Sequence, residues 1–169
     1  MIIISFDLDS TLTDPRHRAW MVNATDRNLT DWDAYSMAAG GDVPGPAMPL
    51  AYTFQSLGAR IVITSARSEC ARQLTMDWLH RHSVFPEMVV LYDEELFGDE
   101  LRKRLISHIE LKVRQLKYVN DWYRRYEREH ISLHVDDWPE VRVEVGQRLR
   151  IPVVIVKPNH ELVPRAAAQ

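Results

Sequence analysis

The pattern that most restricts the fold of this chain is a series of five short apolar runs rich in β-branched residues. The runs are mostly continuous instead of alternating with polar residues, which is typical of strands buried on both faces of a parallel sheet. Helix-length segments separate them, as in repeated βαβ units. We therefore predict an α/β fold with a five-stranded, mainly parallel sheet flanked by helices. The predicted strands cover residues 1–6, 60–64, 88–92, 131–135 and 151–156.

Three segments between the runs carry apolar residues at helical spacing, over 50–57, 68–82 and 109–129. The third helix is predicted to begin after Ser107, because Ser107 followed by Glu110 is the pair that caps free backbone amides at a helix N-terminus. A chain of 169 residues fits one domain, so we predict a single domain over 1–169. Residues 14–49 are rich in Pro and Gly and break this rhythm, which predicts a small cap-like insertion after the first strand.

Charge and cysteine content restrict the class of protein. The net charge of −3 argues against a protein that coats nucleic acid by charge alone, although a local basic groove stays compatible. The one cysteine, Cys70, cannot form an internal disulfide, which agrees with a cytoplasmic location. No apolar run approaches the roughly 20 residues of a membrane span, and Asp7 and Asp9 interrupt the first run, unlike a signal peptide. We expect a cytoplasmic protein with no membrane partner.

Polar side chains are concentrated where the predicted strands end: Asp7, Asp9, Ser65, Asp136 and Asp137. Ligands of parallel α/β sheets bind at the carboxyl ends of the strands, so we expect these side chains on one edge. Close carboxylates repel each other, and a hard cation such as Mg²⁺ neutralises them. A carboxylate held against phosphorus can act as a nucleophile while a second carboxylate moves the proton. The set therefore indicates phosphoryl chemistry with Mg²⁺.

Three segments resemble motifs of the haloacid dehalogenase-like (HAD) hydrolases. FDLDSTLTD over 6–14 resembles the first motif of that family, IVITSAR over 61–67 the second, and HVDDWPEV over 134–141 the acidic fourth motif. The resemblance covers most of the chain. It implies a Rossmann-like HAD fold and a Mg²⁺-dependent phosphatase.

The same resemblance implies roles for the acidic residues. Asp7 is the nucleophile that forms an aspartyl-phosphate, and Asp9 is the general acid/base. Asp136 and Asp137 hold Mg²⁺ together with Asp7 and the backbone carbonyl of Asp9. An aspartate at the position of Asp9 favours phosphate transfer over dehalogenation, because a phosphatase must protonate an alkoxide leaving group.

The residues that the resemblance places at the phosphate are Thr11, Ser65, Ala66, Arg67 and a lysine of the third motif. Lys112 and Lys117 both lie on the third predicted helix. Lys112 is preferred because it lies in the second turn from the capped end, whereas Lys117 lies more than a turn further along.

One position departs from the family pattern, because Ser10 stands where the first motif usually has glycine. This change should alter the tight turn and leave the carboxylates in place.

A narrower resemblance indicates the substrate. DWDA over 31–34 and ITSARSE over 63–69 are similar to the phosphatase half of polynucleotide kinase/phosphatase proteins. This implies hydrolysis of phosphate from nucleic-acid 3′ ends or nucleotides, with Arg67 at the phosphate or the adjoining nucleotide. No Gly-X-X-X-X-Gly-Lys-Ser/Thr phosphate loop occurs in the sequence, so no kinase half is expected in this chain. The insertion also holds Trp20, Trp32 and Tyr35, which are suited either to stacking on a base or to anchoring the loop.

Two alternatives stay open. A 5′-nucleotidase or another small-metabolite HAD phosphatase agrees with the mild negative charge. A phospho-accepting, receiver-like regulatory domain also combines aspartates, a hydroxyl and a lysine on a parallel sheet. In a receiver the acidic pair comes first in the chain, whereas here it comes last, which favours the phosphatase.

Overall fold

The computed structural model describes residues 1–23, 25–26, 29–103 and 105–157. Its strands are β1 (Ile3–Phe6), β2 (Thr13–Asp14), β3 (Val43–Pro44), β4 (Arg60–Ser68), β5 (Met88–Tyr92), β6 (Leu133–Asp136) and β7 (Val153–Ile155). Its α-helices are α1 (Trp32–Met37), α2 (Met48–Ser56), α3 (Arg72–Arg81), α4 (Glu94–Phe97), α5 (His108–Tyr126) and α6 (Pro139–Leu149). Short 3-10 helices cover Arg16–Met21, Ala38–Gly41 and Glu69–Ala71. None of the described helices is long and apolar enough to cross a membrane.

Five strands form one parallel sheet in the order β5-β4-β1-β6-β7, which confirms the predicted fold class. Counted in chain order within the sheet, the strands are arranged 3-2-1-4-5, the order of the nucleotide-binding α/β folds. Receiver domains have the order 2-1-3-4-5. The strand order therefore rules out the receiver-like alternative.

Helices cover both faces of the sheet, so the central strands are buried from both sides. Successive residues of a strand point to opposite faces. Ile4 packs in a cluster with Trp78 of α3, whereas Ile3 packs in a second cluster with Leu116 of α5. This two-sided burial is the reason that the strands appear in the sequence as continuous apolar runs.

Helix α5 begins at His108, within one residue of the predicted start, and the hydroxyl of Ser107 accepts a hydrogen bond from the Glu110 amide at 3.1 Å. The helix runs antiparallel to the strands. Near its beginning, Lys112 donates to the carbonyl of Thr64 towards the end of β4. Just after its end, Glu127 accepts from Arg60 at the start of the same strand. The N-terminal turns of α5 therefore lie at the carboxyl edge of the sheet.

The structure corrects the predicted boundary after the second apolar run. Strand β4 does not end at Thr64 but continues to Ser68, with a shift in its pairing to β5 between these two residues. The helix predicted from residue 68 starts as a 3-10 turn and becomes α-helical only at Arg72. The extra strand residues were missed because most are polar, and they are polar because they enter the site described below. Helices α1, α4 and α6 were also not predicted individually.

Residues 14–49 leave the sheet after β1 and return directly over the loop of the first motif. Strand β3 pairs with β2 at the base of this segment. The amide of Gly45 donates to the carbonyl of Leu12 at 2.7 Å, and a Cβ at Gly45 would lie 2.5 Å from the carbonyl oxygen of Thr11. Only glycine permits this close approach. That 1–169 form one domain with 14–49 as its cap remains our proposal, and residues 158–169 lie outside the described part.

Candidate active site

Three carboxylates from two neighbouring strands meet at the carboxyl edge of the sheet. Asp7 directly follows β1, Asp136 ends β6, and Asp137 comes next in the chain. Each offers one oxygen within 4.8 Å of the others. Strands β1 and β6 adjoin at the point where the strand order reverses, which is where ligands bind in open α/β sheets. Carboxylate oxygens are preferred ligands of hard divalent cations, so this donor set fits such a cation.

Lys112 reaches the same carboxylates from helix α5. Its ammonium donates to Asp7 Oδ1 at 2.5 Å and to the carbonyl of Thr64 at 2.6 Å, and it lies 3.7 Å from Asp136 Oδ2. Lys117 instead pairs with Asp121 on the exposed side of the helix. The structure therefore brings Lys112 to the acidic cluster and leaves Lys117 away from it. The role of Lys112 towards phosphate remains a prediction.

The carboxylates of the cluster differ in protonation. Burial raises the pKa of Asp7 to about 8, because Lys112 offsets only part of the desolvation and the charges of Asp136 and Asp137 add to the rise. Burial also opposes the ionised form of Asp136, but Lys112 and His134 outweigh it and hold the pKa of Asp136 below its usual range. Near neutral pH, the metal-free protein therefore favours the protonated form of Asp7 and the ionised form of Asp136.

We expect a divalent cation to displace the proton of Asp7 when it binds. The cation and the proton compete for the Asp7 carboxylate, whose pKa is about 8. This competition makes cation binding about 50-fold weaker at pH 6 than at pH 8. Calorimetric titration with Mg²⁺ or Mn²⁺ in two buffers of different ionisation enthalpy measures both the affinity and the protons released. The Asp7→Asn variant should bind weakly and without this pH dependence. Equal wild-type affinities at pH 6 and pH 8 would contradict the raised pKa.

A second cluster beside the first contains two arginines and two aspartates. Arg67 donates through Nη2 to Asp9 Oδ1 and, at 2.9 Å, to Asp42 Oδ2. Arg18 donates to Asp9 Oδ1 at 2.7 Å and to both carboxylate oxygens of Asp42 at 2.8 Å. Arg18, Arg67 and Asp42 are buried. These four residues, here called the buried ion-pair network, balance two positive and two negative charges, with only Asp9 partly exposed to water.

This network fixes the protonation state of Asp9. Burial alone would raise the pKa of Asp9, but the guanidinium groups of Arg67 and Arg18 outweigh it and hold the pKa well below its usual range. The Asp9 carboxylate is therefore ionised and faces the arginines. Its side chain is not among the three carboxylates of the acidic cluster. The metal contact predicted for Asp9 runs through its backbone carbonyl and does not require the side chain.

The other residues expected at the phosphate lie close to these two clusters. Ser65 is buried, its hydroxyl accepts from the amide of Arg67 at 3.2 Å, and Ala66 between them is partly buried. The hydroxyl of Thr11 is buried with no hydrogen-bond partner in the part of the chain that the structure describes. Arg67 is not a surface residue that opens a helix, because its guanidinium is buried at the end of β4. The phosphate-binding roles of these residues remain predictions.

Ser10 takes the backbone conformation that the usual glycine would take. Its φ of 69° lies in the left-handed region that favours glycine. The tight turn of the first motif is therefore present with a side chain in place of the hydrogen.

Sequence reasoning missed Arg18 and Asp42, which complete the buried ion-pair network. Both come from the 14–49 insertion, in which neither apolar periodicity nor a motif marks them. Arginine and aspartate in a Gly- and Pro-rich segment are usually solvent-exposed, so composition gives no signal for their burial. The charges of Arg18 and Asp42 are seen to compensate each other only in the folded chain, where the insertion lies over Asp9 and Arg67.

No protein-family model matches the chain, and no curated protein sequence matches it. Solved structures do match. The chain is similar, with TM-score 0.61 and 16% identity over 94% of its length, to 47% of a chain in a structure of the Pnkp1/Rnl/Hen1 complex. It is similar to the Class C acid phosphatase from Bacillus anthracis, with TM-score 0.55 and 18% identity, over 93% of this chain and 66% of that one.

A third similar structure is that of a dehalogenase, with TM-score 0.58 and 14% identity, over 97% of this chain and 90% of that one. The chain spans less than half the length of the Pnkp1/Rnl/Hen1 component that it matches. At these identities the similarity establishes a shared fold.

Proposed function

We propose that this chain, whose fold is that of the haloacid dehalogenase-like hydrolases, is a Mg²⁺-dependent phosphomonoester hydrolase. The observation that carries the proposal is the meeting of Asp7, Asp136, Asp137 and Lys112 at the switch point of the sheet. A carboxylate nucleophile, a cation site and an ammonium group in one place supply what phosphoryl transfer requires. An acid phosphatase is among the structures that share the fold.

In the first step, a carboxylate oxygen of Asp7 attacks the phosphorus atom, and the bond from phosphorus to the leaving alcohol oxygen breaks. The products are an aspartyl-phosphate on Asp7 and the alcohol, which takes its proton from Asp9. Asp7, Asp136 and Asp137 would hold the cation, which supplies positive charge to the phosphoryl oxygens when bound. Lys112, on helix α5, donates hydrogen bonds to the same phosphoryl group.

In the second step, water attacks the phosphorus of the aspartyl-phosphate and gives its proton to Asp9. Inorganic phosphate leaves, and the carboxylate of Asp7 is restored. The buried ion-pair network favours the ionised form of Asp9, which is the form that accepts this proton. For the first step Asp9 must be protonated, and a substrate phosphate that draws Arg67 away from Asp9 would raise its pKa for that purpose.

We propose a nucleic-acid 3′ end or a nucleotide as the substrate. Support comes from the resemblance of 31–34 and 63–69 to polynucleotide phosphatases, and from the similarity to a component of the Pnkp1/Rnl/Hen1 RNA repair complex. A 5′-nucleotidase or another small-metabolite phosphatase is the second candidate, favoured by the net charge of −3. The proposed location is cytoplasmic, in agreement with the single cysteine.

Phosphate release from an aryl phosphate and from an alkyl phosphate, each with Mg²⁺ and with EDTA, tests the activity and the role of Asp9. Asp9→Asn should lower kcat/KM by about 10²- to 10⁴-fold for the alkyl ester, because a poor leaving group needs the proton. The loss should be about tenfold or less for the aryl ester, whose leaving group needs little protonation.

Asp121→Asn is the matched control, since Asp121 is an exposed aspartate paired with Lys117 away from the acidic cluster. Equal losses on both esters would contradict the role of Asp9. No phosphate release from either ester with Mg²⁺ or Mn²⁺ would refute the proposed hydrolase.

A further inference from the structure

We infer that four aromatic rings beside the active site bind the base of a nucleoside phosphate. Tyr35 and Trp32 belong to α1, His108 begins α5, and Trp138 follows the acidic pair. The ring centroids are 5.5 Å apart for Tyr35 and Trp32, 6.2 Å for Trp32 and His108, and 6.4 Å for His108 and Trp138. Three separate parts of the chain thus form one continuous row of rings, here called the aromatic arc. This inference rests on the proposed function and specifies its substrate.

Both ends of the arc are joined directly to the site. At one end, the backbone amide of Trp138 donates to Asp136 Oδ1 at 2.9 Å. At the other end, the guanidinium of Arg18 lies 4.0 Å from the ring centre of Tyr35 and donates to Asp9. The arc therefore spans from the acidic cluster to the buried ion-pair network.

The middle of the arc lies outward from the acidic cluster. His108 is four residues before Lys112 on α5, so both lie on the same side of the helix, about 6 Å apart along its axis. Because α5 runs antiparallel to the strands and begins at the carboxyl edge of the sheet, His108 lies further beyond that edge than Lys112. A substrate with its phosphate at Lys112 would extend outward past His108.

The exposure of Trp32 and His108 differs from that of an anchoring residue. Trp78, which does anchor the insertion, is 1% exposed, and its indole donates to the carbonyl of Asp42 at 2.6 Å. Trp32 is 39% exposed and His108 is exposed, whereas Trp138 is partly buried and also packs against the second apolar cluster. Aromatic side chains left open beside a phosphate site are suited to stacking on a base, which typically contributes about 10- to 100-fold in affinity.

The ligand that matches both features is a nucleoside phosphate, free or at the end of an oligonucleotide. Its phosphate suits the cation site and Lys112, and its planar base lies one sugar away. A sugar phosphate or glycerol phosphate lacks the group that the arc would hold. The net charge of −3 also favours recognition of a single nucleotide over attraction of a long polyanion.

The test compares Trp32→Ala and Trp138→Ala with Trp20→Ala. Trp20, which the sequence offered as a further stacking candidate, is the matched control, because it lies in the same insertion, is 81% exposed and has no ring contact with the arc among the described residues. The substrates are 3′-AMP, 5′-AMP, a 3′-phosphorylated oligonucleotide and two esters without a base, ribose 5-phosphate and glycerol phosphate. The two arc variants should lose about 10- to 100-fold more kcat/KM on nucleotides than on base-free esters. Trp138→Phe, which keeps a ring, should retain most of the nucleotide preference.

Equal losses of the arc variants on both kinds of ester, or the same loss in Trp20→Ala, would overturn the inference. A preference for the 3′-phosphorylated oligonucleotide assigns the arc to a nucleic-acid end, and a preference for AMP assigns it to free nucleotides. No preference for nucleotides over base-free esters in the wild type would also overturn it.

A binding measurement separates this inference from the proposed hydrolase. AMP titrated onto the Asp7→Asn variant should quench tryptophan fluorescence, and adding Trp32→Ala should weaken the apparent affinity about 10-fold or more. Quenching that depends on Trp32, together with a wild type that releases no phosphate from any of the esters, would support the arc and refute the hydrolase. Hydrolysis of aryl phosphate without any such quenching would support the hydrolase and refute the arc.

Discussion

Asp7→Asn should lower kcat for phosphomonoester hydrolysis by at least about 10⁴-fold, because a carboxamide is neither a nucleophile towards phosphorus nor a good cation ligand. Steady-state phosphate release from an aryl phosphate with saturating Mg²⁺ measures the loss. The variant should fold normally. In the metal-free protein burial already shifts the pKa of Asp7 upwards and favours its neutral form, and asparagine is a neutral group of nearly the same shape.

Asp121→Asn, in the exposed pair with Lys117, serves as the control and should keep its activity. A thermal unfolding scan without metal should give similar midpoints for the wild type and Asp7→Asn. Undiminished phosphate release by Asp7→Asn would remove Asp7 from the role of nucleophile. A loss of activity with a large drop in the midpoint would show that Asp7 acts through folding instead.

The second large effect is expected on the stability of the folded protein when Asp42 is replaced. Asp42→Ala should lower the free energy of unfolding by about 3–5 kcal/mol, because it leaves Arg18 and Arg67 buried with Asp9 as their common partner. Urea unfolding followed by circular dichroism measures the change. Asp121→Ala removes a carboxylate from an ion pair with Lys117 that is exposed to water. Its expected cost is about 0–1 kcal/mol.

A double variant tests whether charge balance is the cause. Arg18→Met with Asp42→Ala removes one charge of each sign and leaves Asp9 paired with Arg67. Its cost should be less than the sum of the two single substitutions, with a coupling of about 1–3 kcal/mol. Additive costs, or equal costs for Asp42→Ala and Asp121→Ala, would contradict the assignment of the network as a compensated buried unit.

Asp9 connects the two clusters and explains why their arrangement matters for the proposed reaction. It follows Asp7 by two residues, and its side chain is held by Arg18 and Arg67 while Asp7 faces Lys112. The two aspartates of one short motif therefore have opposite electrostatic surroundings. Asp7 is shifted towards the protonated form and Asp9 towards the ionised form. Such a separation of pKa values is common in sites where two carboxylates have different roles.

The five-stranded sheet could be predicted from the sequence alone, and so could the edge at which the acidic residues meet. The strands could be predicted because burial on both faces makes their runs continuously apolar. Asp7 and Asp136 could be placed together because carboxyl ends of parallel strands lie on one edge, whatever path the loops take. The cap at Ser107 and the pitch of the helix placed Lys112 nearer this edge than Lys117, and the structure has the same arrangement.

Which residues surround that edge depends on contacts between distant segments of the chain, and these contacts could not be predicted from the sequence. The polar end of β4, with Arg67, continues as a strand because its charge is compensated by Asp9 and by Asp42 from the insertion. Likewise His108 and Trp138 join the rings of α1 through packing between distant segments. Regular elements repeat along the chain and leave a periodic pattern in the sequence. Contacts between an irregular insertion and the sheet edge depend on how the loop folds back, which no local pattern records.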